Sequence, residues 1–349
     1  MGRGAWEGSN PRDDINHKYW DIKVILFFFK LIGLAPLEIL RSDYAKKVSD
    51  KQTSQIPVRL KFVCFRSGLV YNVILTIIYL PISFICVPRL YRTHYGYTTD
   101  LTASAEVVQT VFRITLMNAL WLLTSIKRDR MASLLNRLIE VDSTISRVSG
   151  FRWRSVCRLR VISVFIVLMI VWIFLTISDR LAYNTTLLDC FNDIVPSFVI
   201  NLFIFQYALI VEFTEIQYRN LNSALVSLST FPIVRTFRSF TNHGEITLTN
   251  HDYFPKIIDF RRAHNTLYEI GSDIADFYSL PILLIIPLCC LEIIYSAYSG
   301  LLPLTRDLGN DRTFEVTSSV AWVLVLITPV AVLAKRVDGI TNEVSINSS

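Results

Sequence analysis

Five runs of mostly apolar residues divide this chain: 67–87, 161–178, 190–212, 279–300 and 317–334. A run of about 20 such residues is what a helix needs to cross the hydrocarbon core of a bilayer. Inside lipid, each backbone N–H and C=O must find its partner within the protein, so the segments are expected as helices packed in a bundle. A sixth run, 103–126, is apolar but interrupted by Glu106, Gln109, Arg113 and Asn118. The composition points the same way. Hydrophobic residues make up 52% and charged residues 18%, against about 25% charged in an average soluble domain. The expected fold class is an all-α polytopic membrane protein with six transmembrane helices. The net charge of +6 does not indicate nucleic acid, because the basic residues stand in blocks between the apolar runs, as membrane orientation requires.

Those blocks decide the direction of the chain. With six spans, 29 of the 35 Lys and Arg fall on one side and 5 on the other, Arg113 lying within a span. Without the span at 103–126 the division becomes 15 against 20 and the asymmetry is lost. The positive-inside rule therefore keeps the second span and predicts a cytoplasmic N-terminus. Residues 1–66 become a cytoplasmic N-terminal region, 67–334 the transmembrane domain with a cytoplasmic helical loop at 213–278, and 335–349 a cytoplasmic tail. The sequon at Asn184-Thr185-Thr186 falls in a loop expected outside, which makes Asn184 the candidate glycosylation site. Asn347 lies on the inner tail.

The segment 24–40 has no small-residue cleavage site and starts too far from the N-terminus for a signal peptide. It is expected as a helix lying at the inner interface, since Lys30 at its centre would cost about 2.5–3.5 kcal/mol in the bilayer. The alternative, in which 24–40 spans, gives a seven-helix receptor of the G-protein-coupled type with its N-terminus outside. In 213–278, apolar residues at helical spacing (Ile257, Phe260, Leu267, Ile270 and Ile274; Phe213, Ile216, Leu221, Leu225 and Leu228) predict that the fourth and fifth spans continue past the membrane and pack on each other.

Enzyme chemistry finds no support: all five His lie outside the spans, and P-loop, GxSxG and HExxH patterns are missing. No cofactor is implied. The chemistry lies in the second span, where Glu106, Gln109 or Thr110, and Arg113 are spaced by three or four residues and share a helix face. Ionisable groups within a membrane mark either a functional site or an internal pair that fixes helix packing. At similar depth stand Trp172 in the third span, Asn192, Asp193 and Ser197 in the fourth, Glu292 and Tyr295 in the fifth and Trp322 in the sixth. Glu106, Gln109, Arg113, Trp172, Asn192, Ser197, Glu292, Tyr295 and Trp322 are the candidate ligand-binding residues, and an aromatic wall with few polar groups suits a small, mostly apolar molecule.

Several motifs in order then give the chain a resemblance. Leu31-Ile32-Gly33-Leu34-Ala35-Pro36 precedes the first span; Leu135-Asn136-Arg137-Leu138-Ile139-Glu140-Val141-Asp142 lies between the second and third. Tyr218-Arg219-Asn220-Leu221-Asn222-Ser223-Ala224-Leu225 follows the fourth, and His264-Asn265-Thr266-Leu267 with Asp276-Phe277-Tyr278 leads into the fifth. In these the chain resembles the insect gustatory receptors, of the superfamily that includes the odorant receptors, over roughly residues 20–340. The resemblance implies a receptor subunit of a ligand-gated cation channel in the plasma membrane of gustatory sensory neurons. It also implies a small-molecule tastant in the outer half of the bundle, a lipid surround, and a homo- or hetero-tetramer with other receptor subunits. The family has a seventh span, with a Thr-Tyr-(five residues)-Gln-Phe signature, that lines the pore. No such run follows residue 334 here, so the resemblance is to a receptor without its pore helix, and this sequence alone is expected not to conduct.

Overall fold

Each apolar run is a helix in the computed structural model, which describes residues 23–42, 59–92, 100–149, 156–183, 187–230, 253–301 and 312–346. A short helix α1 (23–31) leads to strand β1 (Leu37–Ser42), which pairs antiparallel with β2 (Arg59–Cys64), Leu37 opposite Cys64 and Ser42 opposite Arg59. Seven longer helices follow: α2 (Arg66–Arg92), α3 (Asp100–Ile126), α4 (Arg128–Ser149), α5 (Val156–Tyr183), α6 (Leu187–Thr230), α7 (Tyr253–Leu301) and α8 (Arg312–Ile346). Six of these, all but α4, are long and apolar enough to cross a membrane. The strand pair and α4 mark one end of the bundle, here the hairpin end. The opposite end is the far end.

Length explains the shape of the hairpin end. At about 1.5 Å per residue, 44 residues make α6 about 66 Å long and 49 make α7 about 74 Å long, more than twice the hydrocarbon thickness. Their continuations pack with α4 and with the end of α8. Helix α4 is amphipathic, and Met131, Leu134, Leu138, Val141 and Ile145, spaced three and four apart, are all buried. On α7 the expected stripe is buried at Phe260, Leu267, Ile270 and Ile274, while Ile257 is exposed. On α6 the inward face is rotated from the apolar reading. Leu221 is buried as expected, but Leu225 is exposed, and Thr214, Glu215, Gln217 and Tyr218 are buried beside Leu221. Polar side chains are tolerated there because they are partnered: Gln217 donates to Asp142 at 2.9 Å, and Arg219 donates to Glu215 at 2.8 Å.

Two expectations need correction. The interfacial helix expected over 24–40 ends at residue 31, and its described part, 23–31, covers about 14 Å. Gly33 stops it with a φ of +85°, a conformation that glycine adopts without the Cβ clash, and Pro36 precedes the strand. The tail expected over 335–349 is helical to Ile346, continuous with the sixth span. Arg336 donates to Glu212 at 2.7 Å, while Arg219 and Asn222 donate to Glu343 at 3.1 Å and 3.0 Å, so α6 holds it.

Of the non-helical residues 32–36, Ile32 is half-buried and 33–36 are buried between α2, α3 and α6, where unpaired carbonyls would be costly. Helix side chains satisfy them. Trp121 Nε1 donates to Ile32 C=O at 2.8 Å, Asn72 Nδ2 and Thr124 Oγ1 to Gly33 C=O at 2.8 Å and 3.2 Å, and Gln206 Nε2 to Leu34 C=O at 3.4 Å. Irregular backbone inside a membrane bundle persists only where protein groups supply its partners. The first resemblance motif is thus a plug at the hairpin end. The second does related work, as Asn136 exchanges hydrogen bonds with the Phe62 backbone at 2.7 Å and 2.9 Å and so ties α4 to β2.

Candidate functional site

Helix α3 places Thr110 and Arg113 one turn apart on a buried face. Helix α6 brings Asp193 and Ser197, and α7 brings Glu292, to the same guanidinium. Arg113 pairs with Asp193 at 2.5 Å and with Glu292 at 3.2 Å, and donates to Ser197 Oγ at 3.2 Å and Thr110 Oγ1 at 3.1 Å. Side-chain exposure is 8% for Arg113 and 7% for Glu292 but 36% for Asp193, so the cluster is sealed on the α7 side and open on the α6 side. A lone arginine here would be an uncompensated charge; with five N–H donors in a fixed fork it is suited to hold several oxygens from different helices at once.

The polar ladder of α3 is therefore split. Glu106 does not bond Arg113; its carboxylate accepts from the Tyr295 hydroxyl at 3.2 Å. Gln109 donates to the Leu291 carbonyl at 3.2 Å, so Thr110 is the neighbour that reaches Arg113. Three helices, rather than one helix face, form the constellation.

A second cluster lies beside it. Trp172 on α5 is buried, with Phe198 edge-to-face at 5.2 Å and Trp322 edge-to-face at 5.9 Å. Asp179, one helical stretch further along α5, accepts from Trp322 Nε1 at 3.3 Å and Ser318 Oγ at 3.2 Å. Asn192 is buried; its carbonyl accepts from Tyr79 at 3.2 Å, and its side-chain oxygen has no partner among the described residues. So Arg113, Ser197 and Glu292 meet, Glu106 meets Tyr295, and Trp172 meets Trp322, while Gln109 bonds to the Leu291 backbone and, among the described residues, Asn192 is engaged only through its own carbonyl, by Tyr79. Sequence reasoning missed Asp179, Ser318 and Phe198. Drawing the third span to end at 178 left Asp179 in the loop, although helical spacing continues through Asp179 to Tyr183. Asn184 and Asn347 lie outside the described residues.

A cavity of about 260 Å³ sits elsewhere, at the hairpin end between α4, α6 and α7, with Arg130, Arg137, Asp273, Asp276 and Tyr278 among its lining residues.

No curated protein sequence matches the chain. A family model described as 7tm Chemosensory receptor matches residues 22–345, from the first helix through the end of α8. With a bundle of membrane-length helices and a match over nearly its whole length, the chain belongs to the 7tm chemosensory receptor family.

Proposed function

We propose that the chain is a gustatory receptor subunit of the ligand-gated cation channel type, set in the plasma membrane of gustatory sensory neurons with its N-terminus cytoplasmic. It assembles as a homo- or hetero-tetramer with other receptor subunits and detects a small-molecule tastant. The observation that supports this reading best is the position of the buried polar and aromatic clusters. Glu106, Arg113, Asp193, Ser197, Glu292 and Tyr295, with Trp172 and Trp322 beside them, all lie toward the far end, which the distribution of Lys and Arg assigns to the outside. These clusters combine aromatic side chains with a few fixed polar groups, the make-up of a small-ligand site.

Two measurements test it. Expressed in cells, the chain should lose one glycan's mass on glycosidase treatment, and Asn184→Gln should abolish that change. A change that survives Asn184→Gln would overturn the orientation. Co-expressed with partner subunits and challenged with a panel of bitter and sweet compounds, cells should show ligand-evoked calcium entry. Trp172→Ala and Trp322→Ala should shift its dose dependence at unchanged surface level; responses indifferent to both substitutions would remove the site from the far end.

A further inference from the structure

The far-end clusters are unbalanced in charge. Glu106, Asp179, Asp193 and Glu292 are four carboxyl groups, and Arg113 is the cation among them. Arg113 is committed to Asp193 and Glu292. Asp179 is 7% exposed, and among the described residues no Lys or Arg pairs with it. Its two hydrogen bonds both arrive at Oδ1, from Ser318 and from the Trp322 indole, which leaves Oδ2 without a partner among the described residues. A buried carboxylate at membrane depth without a counter-charge is costly, and the cost falls when a cation arrives.

The surroundings of Asp179 identify the kind of cation. A hard metal ion takes six or more oxygen ligands, and Asp179 has instead one hydroxyl and an indole. Beyond the indole stand two further rings, with Trp172 edge-to-face against both Trp322 and Phe198. Trp172 is 3% exposed, so its ring belongs to the buried cluster. Aromatic faces, indoles above all, attract weakly hydrated organic cations through the ring quadrupole, most strongly when desolvated. Carboxylate and rings together are a recognition element for a positively charged nitrogen carrying apolar substituents.

We propose that the far-end site selects ligands bearing an organic ammonium group, seated on Asp179 among Trp172, Trp322 and Phe198. The inference rests on the far end being the ligand site, and it replaces a mostly apolar ligand with an apolar one that carries a positive charge. Arg113 remains a structural cation next to the site. Its pairing with Asp193 and Glu292 leaves Asp179 as the carboxylate available to the ligand.

The test uses the full chain purified in nanodiscs, with benzyltrimethylammonium as probe and neopentylbenzene as its neutral counterpart of the same shape. Tryptophan emission should be quenched saturably by the cation, with the neutral molecule at least about tenfold weaker. Asp179→Asn should weaken the cation about tenfold or more and leave the neutral molecule unchanged. Equal binding of the two molecules by the wild-type chain, or no binding of the cation, overturns the proposal even if Asp179→Asn fails to fold. Wild-type affinity for the cation in a folded Asp179→Asn variant overturns it as well. Because this readout needs no signalling, cation binding by a chain that leaves cells silent even with partner subunits co-expressed would sink the receptor reading alone. Cellular responses to neutral tastants with no cation binding would sink this proposal alone.

Discussion

Two arginines in this bundle do the same thing in different media. Arg113 on α3 holds Asp193 and Glu292; Arg137 on α4 holds Glu269 and Asp273. In both cases α7 supplies carboxylates. Around Arg113 the side chains of the arginine and Glu292 are 8% and 7% exposed, whereas Arg137, Glu269 and Asp273 are 29%, 65% and 49% exposed. Water at the hairpin end can solvate each ion separately, so pairing there gains little. At membrane depth the unpaired alternative is an ion in a low dielectric, so the same contact becomes a requirement. Ion pairs in this molecule thus specify the packing of α3, α6 and α7 at the far end, and decorate a packing set by apolar contacts at the hairpin end.

The sharpest way to break that contrast is Arg113→Ala. Removing the guanidinium leaves Asp193 and Glu292 facing each other, and a broken buried pair costs about 3–5 kcal/mol. Surface expression and thermal unfolding in nanodiscs should both fall steeply. Adding Asp193→Asn and Glu292→Gln should recover part of the loss, since neutral amides carry no uncompensated charge. A triple variant no better than Arg113→Ala would mean that lost packing, and not charge, is responsible.

Next in size comes the plug. A Cβ at Gly33 would stand 2.6 Å from Asn72 Oδ1 and 3.1 Å from the Trp121 ring, at a φ of +85°. The backbone alone costs an L-residue about 1–2 kcal/mol there, and overpacking adds about 1–3 kcal/mol. Asn72 has little room to yield, because it also donates to Ser125 Oγ at 2.9 Å. Gly33→Ala should therefore destabilise the hairpin end by about 2–5 kcal/mol, read as earlier thermal unfolding and faster amide exchange in β1 and β2. An unchanged exchange pattern would show that the plug is not what anchors the strands.

Gly339→Ala should do less. Its Cβ would meet the Glu215 carboxylate at 2.9–3.1 Å, yet alanine also favours a helix by about 1 kcal/mol over glycine. Crowding of about 1–3 kcal/mol leaves a net loss of about 1 kcal/mol, measurable as a small drop in melting temperature. A stabilised variant would mean that Glu215 swings aside without losing Arg219 and Arg336, which hold it at 2.8 Å and 3.6 Å.

These sites differ in how far the sequence reveals them. Span positions could be read because length and hydropathy alone meet the bilayer's demand, and the face shared by Thr110 and Arg113 follows from helical spacing. The partners of Arg113 lie 80 and 179 residues away in sequence, and only the packing of α6 and α7 selects Asp193 and Glu292 over Glu106. The strand Leu37–Ser42 reads as apolar helix continuation because its pairing partner, Arg59–Cys64, lies beyond an intervening segment. On α6, Gln217 and Thr214 fall outside the apolar stripe read from the sequence. Gln217 is buried because Asp142 on α4 reaches it, and Thr214 because its hydroxyl donates to the Ile210 carbonyl at 2.9 Å.

The smallest expected effect completes the contrast between the two arginines. Arg137→Ala removes contacts to Asp273 at 2.6 Å and to Glu269, geometry at least as close as that around Arg113. Distance alone would therefore rank the two substitutions as equals. Exposure ranks them differently. Glu269 and Asp273, left without Arg137, remain 65% and 49% exposed and are taken over by water, so the loss should be about 0.2–1 kcal/mol. Salt supplies a second criterion. The Debye length falls to about 3 Å at 1 M ionic strength, so the difference between wild type and Arg137→Ala should shrink toward zero in high salt. The Arg113→Ala deficit, which leaves Glu292 only 7% exposed, should largely persist. Unfolding curves of both variants at low and high salt make the comparison. A salt-insensitive Arg137→Ala deficit of several kcal/mol would show that the hairpin end, with the cavity that Arg137 lines, is also closed to water, and that the two arginines are alike after all.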